Sequence, residues 1–554
     1  MLINLHQYLL QNPILVFFLV LSLGYLIGNI SVLGISLGPV GGVLIAGLVF
    51  GHFGFTMYTG AQTFGFVLFI FCVGYQAGPN FIDVLLSDGL KYLTLALVVA
   101  ATGFGLAVGL AGLLDFAPGL SAGLMGGAMT TTPTLAAAQD AVQSGLAKVP
   151  DGYTSEQVLT NIGAAYALTY LFGLVGLILI IRLMPRVLGV DLPAEAAKLE
   201  SGDDLGKGPD LSGVTRRTYR VTKEKYLDRT VRELRMAAPM DFSVVAIRRN
   251  GIEIPIENDT RFELDDEVLV ISRVGFFLKH APDFGEEISD EEGMQITMIT
   301  VQVVVQKPEV IGVPLADIKS DKYIGAPLVL DVRRQRTKLP FSSSLVLHRG
   351  DVLTLYGPEL SVQPLAENIG HVEQDVDETD LFTFALGIAL GIGLGTLAVK
   401  LGGVTIQLGM AGGLLISGLL VGFLRSIWPV FGRVPSASSW VLMEFGLLLF
   451  MAGVGINSGS GIVEIIQSAG IKLIIAGVMV TSIPVFIGYF FSTKILKLNP
   501  VEALGGVTGS MTSGAALRVL TDAAKSNVPS LSYTGAYAFA NVILTLAGTF
   551  IMLV

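Results

Sequence analysis

The sequence predicts an α-helical polytopic membrane protein made of two related halves, with a soluble α/β domain inserted between them. Three observations carry that fold class. The 554 residues are 52% hydrophobic and 14% charged, with 67 glycines, at a mean hydropathy of +0.68, whereas a soluble chain carries roughly 25% charged residues and about 7% Gly. Charge is unevenly spread, since only Lys91 and Lys148 are basic before Arg182, while Lys198 to Arg349 is dense in both signs. Glycine patterns recur across the two apolar halves.

Windows of about 20 apolar residues mark membrane helices. In the first half they centre near 13–30, 35–51, 62–79, 91–114, 119–140 and 156–184, and in the second near 381–400, 405–424, 439–457, 471–493, 500–523 and 533–554. The first stretch, Leu15 to Leu26, lacks a basic leader and runs directly into another apolar segment, so a permanent span is expected rather than a cleaved signal. "ISLGPVGGVLIAGLVFG" from Ile35 aligns with "IQLGMAGGLLISGLLVG" from Ile406, pairing Gly38 with Gly409 and Gly47 with Gly418. "FGFVLFIFCVGYQAG" from Phe64 aligns with "FGLLLFMAGVGINSG" from Phe445, "GAMTTTPTL" from Gly127 with "GSMTSGAAL" from Gly509, and Ala165-Tyr166-Ala167 with Ala536-Tyr537-Ala538. Four matches in register predict an internal duplication.

Charge predicts how the halves face. Arg425, Arg433, Lys494 and Lys497 follow the second and fourth spans of the second half, while the equivalent loops Gly51–Gly60 and Leu114–Ala117 contain no Lys or Arg. Basic loops stay cytoplasmic, so the repeats have inverted topology, a plan common to secondary transporters. Each half must then cross an odd number of times, because the insert joins both from the cytoplasmic side. About five spans plus one re-entrant or broken helix per half are expected, the broken ones being "GGAMTTTPTLAAA" and Gly505 to Leu517, with both termini periplasmic or extracellular.

The expected boundaries are 1–188 for the first repeat, 189–210 for a polar linker, 211–290 and 291–366 for two soluble modules, 367–380 for a second linker and 381–554 for the second repeat. "VAIRRNGIEIP" from Val245 resembles "LDVRRQRTKLP" from Leu330, and "DDEVLVI" from Asp265 resembles "RGDVLTL" from Arg349. Alternating apolar residues around Asn250-Gly251 predict a β-hairpin.

A helix break inside hydrocarbon leaves backbone groups whose desolvation costs several kcal/mol each, so it implies protein or a water-filled cavity around it. Free N–H groups at helix ends attract an anion without placing a full cation in lipid. The candidate substrate site is therefore Gly127, Thr130, Thr131, Thr132, Pro133 and Thr134 with Gly509, Ser510, Thr512 and Ser513. Gly387, Gly391 and Gly395 have GxxxG spacing and read as helix packing. Arg518, where the first repeat has Ala136, could grip a substrate carboxylate in a forked geometry, or snorkel, or pair with Asp522. Asp140 and Glu444 are secondary candidates for ion coupling, and Gln76 and Asn457 for cavity lining.

Other classes find little support. The net charge of −10 comes with no basic arm, so nucleic acid is not an expected partner. The five histidines never approach HExxH spacing, and no nucleophile elbow or phosphate loop occurs. No enzymatic activity, metal or cofactor is expected, and the lone Cys72 allows no internal disulfide.

Two duplicated membrane halves carrying "GGAMTTTPTLAAA" and "GSMTSGAAL", split by a soluble insert with tandem modules, resemble the aspartate:alanine exchanger family of bacteria. The resemblance implies exchange of aspartate for alanine, or of related dicarboxylates and acidic amino acids, across the inner membrane without ATP, by a homodimer that moves a transport domain in elevator fashion. The two modules are similar to RCK C-terminal domains, at "VAIRRNGIEIPIENDTRFELDDEVLVIS" and "LDVRRQRTKLPFSSSLVLHRGDVLTLYG". By that analogy Arg248, Arg249, Arg333 and Arg334 could receive cyclic di-AMP or another nucleotide regulator, or could be ordinary solvated strand residues. Two other functions stay open at this stage: a cation/proton antiporter regulated by the modules, and a membrane-anchored ligand sensor.

Overall fold

The computed structural model describes residues 5–32, 35–86, 89–200, 214–237, 242–257, 259–273, 285–288, 296–318, 327–334, 337–342, 344–372, 379–401, 404–428 and 431–554, so the expected linkers at 189–210 and 367–380 lie partly outside the described residues. The chain divides into a helical unit, Met1–Ala196 with Asp377–Val554, and a second unit, Ala197–Val376.

The helical unit contains two sets of seven helices. The first set is α1 Pro13–Asn29, α2 Gly38–His52, α3 Thr59–Leu86, α4 Gly89–Leu113, α5 Leu120–Ala128, α6 Thr132–Gln143 and α7 Ser155–Val187. The second is α8 Leu381–Thr396, α9 Gly409–Ile427, α10 Ser436–Gly459, α11 Ile462–Lys494, α12 Pro500–Ser510, α13 Gly514–Ala524 and α14 Pro529–Phe550. Among the described residues six helices are long and apolar enough to cross a membrane: α3, α4, α7, α9, α10 and α11; α1, α2 and α8 are shorter apolar helices.

Helices that correspond between the sets lie antiparallel. Along α3 and α10, Gln62 faces Gly453 and Asn457, whereas Gly65 and Leu68 face Gly446. Along α4 and α11, the Leu114 carbonyl receives a hydrogen bond from Lys472 and Val99 packs on Gly488. Two copies of one fold whose counterparts run in opposite directions are related by an axis across the helices, which fits an inverted repeat. The halves also interlock: α2 packs on α10 and α9 on α3, with Gly47 against Gly455 and its counterpart Gly418 against Gly74. Small residues at these crossings let backbones touch. Gly391 and Gly395 serve the same purpose where α8 crosses Leu414 and Gly409.

The breaks in α5–α6 and α12–α13 turn the chain back on itself as helical hairpins, as their packing directions show. Gly119 lies by Val158, Gly123 by Ile162 and Gly127 by Tyr166 and Thr169, so α5 runs parallel to α7. Had α5 and α6 continued straight across, α7 would begin on the far side and run antiparallel to α5. The second hairpin repeats the pattern, with Gly505 by Pro529 and Gly509 by Tyr533. This register corrects the tyrosine alignment. Gly127 sits on the Tyr166 carbonyl and Gly509 on that of Tyr533, so Tyr166 corresponds to Tyr533 and Tyr170, not Tyr166, to Tyr537. Both pairs stack, with ring centroids 5.3 Å apart for Tyr166–Tyr170 and 5.4 Å for Tyr533–Tyr537. Alanines flank the first tyrosine of the pair in one repeat, Tyr166, and the second in the other, Tyr537, which is why the sequence alignment slipped.

In the second unit the strands are β1 Val214–Val221, β2 Phe242–Arg249, β3 Ile252–Ile254, β4 Glu267–Arg273, β5 Gly285–Ile288, β6 Met298–Val305, β7 Leu328–Arg334, β8 Thr337–Lys338, β9 Val352–Pro358 and β10 Gly370–Val372. The sheet orders β3-β2-β4-β1-β5 and β8-β7-β9-β6-β10 are the same path drawn twice. The β2–β3 turn places Asn250 and Gly251 at φ +52° and +79°, as a two-residue hairpin demands. Arg248 pairs across the ladder with Glu267 and Arg333 with Val352, so Asp266 corresponds to Asp351. The direct alignment of "DDEVLVI" with "RGDVLTL" is thus one residue out, because its apolar letters match in either register while only one register keeps the side chains on the same sheet face. Val245, Ala246, Leu269 and Ile271 of the first sheet pack with Leu328 of the second in one buried cluster.

Candidate functional site

The two hairpin tips meet. Thr130 Oγ1 donates to the Met511 carbonyl at 2.8 Å, and Thr512 Oγ1 donates to the Thr130 carbonyl at 3.3 Å. Thr130 and Thr512 occupy matching places and both have left-handed backbone, φ +53° and +52°, which costs a β-branched residue about 1–3 kcal/mol. The turns are otherwise satisfied in the same way: Thr130 N–H donates to Gly127 O and Thr131 N–H to Gly126 O, while Thr512 N–H donates to Gly509 O and Ser513 N–H to Thr508 O. Two irregular segments therefore cross in the middle of an apolar bundle with few unpaired groups, as a break within hydrocarbon requires.

The remaining tip residues divide by role. Thr132 bonds the Tyr166 hydroxyl at 3.1 Å, Thr134 donates to the Leu544 carbonyl at 2.8 Å and to Thr131, and Ser510 donates to Gly506 O. Thr131, Thr132, Thr134 and Ser510 are buried; Thr132 and Thr134 tie the first hairpin to α7 and α14, while Thr131 and Ser510 bond within their own hairpins. Gly127 and Gly509 are packing positions pressed on α7 and α14, and Pro133 lies in the first turn of α6. Ser513 caps α13 by accepting from Ala516 N–H at 3.3 Å. Both α6 and α13 begin at the crossing, so two helix N-termini converge there, each with first-turn N–H groups that lack intrahelical partners.

The two hairpins differ in exposure. Every residue of α6 from Thr132 to Val142 is buried, whereas α13 exposes Gly514, Ala515, Arg518 and Asp522 along one face, with exposed Lys525 directly after its end. Arg518 lies one turn beyond the start of α13, and no ion pair joins it to Asp522. Beside α13 lies an open cavity of about 560 Å³ lined by Arg182, Arg186, Asp191, Val519 and Asp522. It opens at the end of the helical unit where α7 finishes and α8 begins. Lys91, Arg182, Arg186, Arg425, Arg433, Lys494, Lys497 and Lys525 all fall at that end by chain path, against Lys148, Lys400 and Lys472 at the other.

At the opposite end the structure builds a closed polar ladder that sequence reasoning only touched. Asn457 donates to Gln62 Oε1 at 2.8 Å, and Gln62 donates to Gln139 Oε1 at 3.3 Å, joining α10, α3 and α6. Asp140 Oδ2 accepts from Ala411 N–H at 3.1 Å, capping α9. Gln62 and Gln139 carried no motif, and their counterparts in the second repeat are Met443 and Thr521, so no repeated letter marked them. Gln76, the counterpart of Asn457, bonds Ser439 at 3.3 Å and does not reach a hairpin. Glu444 is half-buried on α10, with its charge near Tyr170, whose ring stacks on Tyr166.

In the second unit all four candidate regulatory arginines are paired. Arg249 makes a two-pronged contact with Asp266 at 2.8 and 2.9 Å and also meets Glu263; Arg334 does the same with Asp351 at 2.7 Å for both bonds. Arg248 meets Glu267 and Arg333 meets Asp331. Asp266 and Asp351 are completely buried, so the matching Arg–Asp forks fasten each module to itself.

Crossed helical hairpins within an inverted, glycine-packed bundle define a membrane transporter. A family model described as a predicted permease membrane region, Asp-Al_Ex, matches residues 16–186 and again 383–553. The chain belongs to that family, and the two matches coincide with the two helical repeats. No solved structure matches the chain.

Proposed function

We propose that the protein is a secondary exchanger of small carboxylates or acidic amino acids, of the aspartate-for-alanine kind. The observation that supports this reading most is the crossing of Thr130 and Thr512, which brings two helix N-termini to one point deep in the bundle. A substrate carboxylate would sit at the exposed first turn of α13, near Gly514 and Ala515, where backbone N–H groups and the helix dipole favour negative charge. Arg518, one turn along the same exposed face, would take a second carboxylate in a bidentate contact. An amphipathic face carrying Arg518, Asp522 and Lys525 cannot face lipid cheaply, so it lines a water-filled path.

The basic residues gathered where α7 ends and α8 begins support a cytoplasmic location for that end in a bacterial inner membrane, with both termini outside. The interlocked helices and paired hairpins suit an elevator in a homodimer, and the duplicated modules suit a regulatory domain of RCK C-terminal type. A phosphate ligand on Arg249 or Arg334 would have to displace Asp266 or Asp351, which speaks against a nucleotide regulator at these arginines. A cation/proton antiporter gains no support from the family match, which is to the Asp-Al_Ex permeases. The test is counterflow in proteoliposomes: vesicles loaded with alanine should accumulate labelled aspartate, and absence of counterflow with aspartate, alanine and succinate alike would reject the substrate class.

A further inference from the structure

The helices α2 and α9 begin identically, and the structure treats them differently. Gly38 and Gly409 open the two helices at φ +72° and +71°, each after a leucine in helical geometry, Leu37 and Leu408. At α9 the Asp140 carboxylate lies over this turn, Oδ2 accepting from Ala411 N–H and standing 2.9 Å from where a Gly409 Cβ would be. At α2 nothing lies within 4 Å of the corresponding point on Gly38. The hairpin register that pairs Gly127 with Gly509 pairs Asp140 with Asp522. Asp522 is exposed in the open cavity beside α13 and makes no side-chain hydrogen bond or ion pair among the described residues.

One repeat thus has its acid on its helix start, and the other has both parts, separated. An aspartate on the first N–H groups of a helix gains a hydrogen bond and a favourable dipole interaction. The Asp140 contact is also one-sided, since Oδ1 is buried without a partner, and a carboxylate satisfied on one oxygen in a dry site is poorly suited to permanent fastening. We infer that Asp140 and Asp522 are alternating gate residues of the exchange cycle: with Asp140 on α9 the hairpin tips are closed from one end and open at the α7–α8 end, and in the other state Asp522 caps α2 at Val40 while Asp140 leaves Ala411. The structure holds the first of these states. Gln62, which steadies the closed ladder, has Met443 as its counterpart in the second repeat, so the second closure relies on Asp522 without such a ladder.

This inference rests on the transport reading, but its test needs no substrate. In full-length protein with Cys72→Ser, the pair Asp140→Cys with Ala411→Cys should cross-link readily, and the pair Asp522→Cys with Val40→Cys should cross-link in a smaller population. Placing all four cysteines in one chain should give either bond but not both. Separately, Ala515→Cys reports opening: its labelling by an impermeant maleimide from the α7–α8 end should fall about five-fold with Asp140→Asn and rise with Asp522→Asn. Failure of the Val40 pair to cross-link under any condition, both bonds in one molecule, or labelling indifferent to both asparagine variants would overturn the gate. Exchange without the Val40 cross-link defeats the gate alone; alternation without counterflow defeats the substrate reading alone.

Discussion

Thr130 and Thr512 hold each other's hairpin: the hydroxyl of Thr130 bonds the backbone beside Thr512, and the hydroxyl of Thr512 bonds the backbone of Thr130 itself. Thr130→Val keeps the side-chain shape and leaves the Met511 carbonyl without its donor, at a cost of about 1–3 kcal/mol. Exchange should fall by at least tenfold, and thermal unfolding in detergent should move down by a few degrees. Unaltered exchange in Thr130→Val, with Thr512→Val also unaltered, would remove the crossing from the mechanism.

Arg518 is exposed and its side chain bonds to nothing in the described structure, so its loss should spare the fold. Arg518→Ala should reduce uptake of a dicarboxylic substrate about 100-fold while melting behaviour stays put, and Arg518→Lys should recover only part of the activity, since a point charge does not reproduce the guanidinium fork. Initial rates at several substrate concentrations check this: an effect confined to KM marks binding of substrate outside the rate-limiting step.

Close helix crossings set another expectation. A methyl group on Gly418 would collide with the Phe71 carbonyl and the Gly74 backbone, whereas one on Gly105, on an open face of α4, meets nothing within 4 Å. Gly418→Ala should destabilise by roughly 1–3 kcal/mol through overpacking, and Gly105→Ala should be neutral or gain up to about 1 kcal/mol of helix propensity. Paired melting curves in one detergent distinguish the two.

In the second unit, Arg334→Met strands the buried Asp351 carboxylate, and breaking such a pair costs roughly 3–5 kcal/mol. Arg333→Ala, on the exposed neighbour, should cost under about 1 kcal/mol. Limited proteolysis of the full chain should cut Arg334→Met within residues 296–372 far sooner than Arg333→Ala.

Asp380 precedes α8 and accepts from the Thr383 hydroxyl at 2.5 Å, from Thr383 N–H at 2.9 Å and from Gly432 N–H at 3.1 Å, which together hold its carboxyl below the usual range. A lowered folded value means the stabilisation is complete above the unfolded carboxylate value of about 3.9 and disappears as pH falls through the folded one. Stability should therefore decline below about pH 4, and Asp380→Asn should lower stability at neutral pH while flattening that decline. A pH series of unfolding temperatures for both chains decides it.

Much of this architecture was legible in the sequence, because close helix contacts demand glycine at fixed spacing and so leave a pattern on the page. Gly47 and Gly418, or Gly127 and Gly509, align for that reason. The helix breaks followed from the helix-breaking letters around Thr130 and Thr512. Register within a match was less secure: Tyr166 and Tyr537 look alike, and only the carbonyl under Gly509 reveals that Tyr533 is the partner. What lay beyond the letters was the difference between the halves. Asp140 and Asp522 are the same residue in the same repeat position, and nothing in the sequence says that one is bound and the other free. Likewise the arginines at 249 and 334 read as exposed basic positions until the sheet register set each against a buried aspartate.

The interlocking of α2 with α10 and of α9 with α3 has a consequence for biogenesis. As the nascent chain leaves the ribosome, the first half enters the bilayer with grooves shaped for helices that have yet to be translated, and the intervening soluble segment is made before those helices arrive. The amino-terminal half on its own should thus be a substrate for quality-control proteolysis, rescued when the carboxy-terminal half is co-expressed as a separate polypeptide.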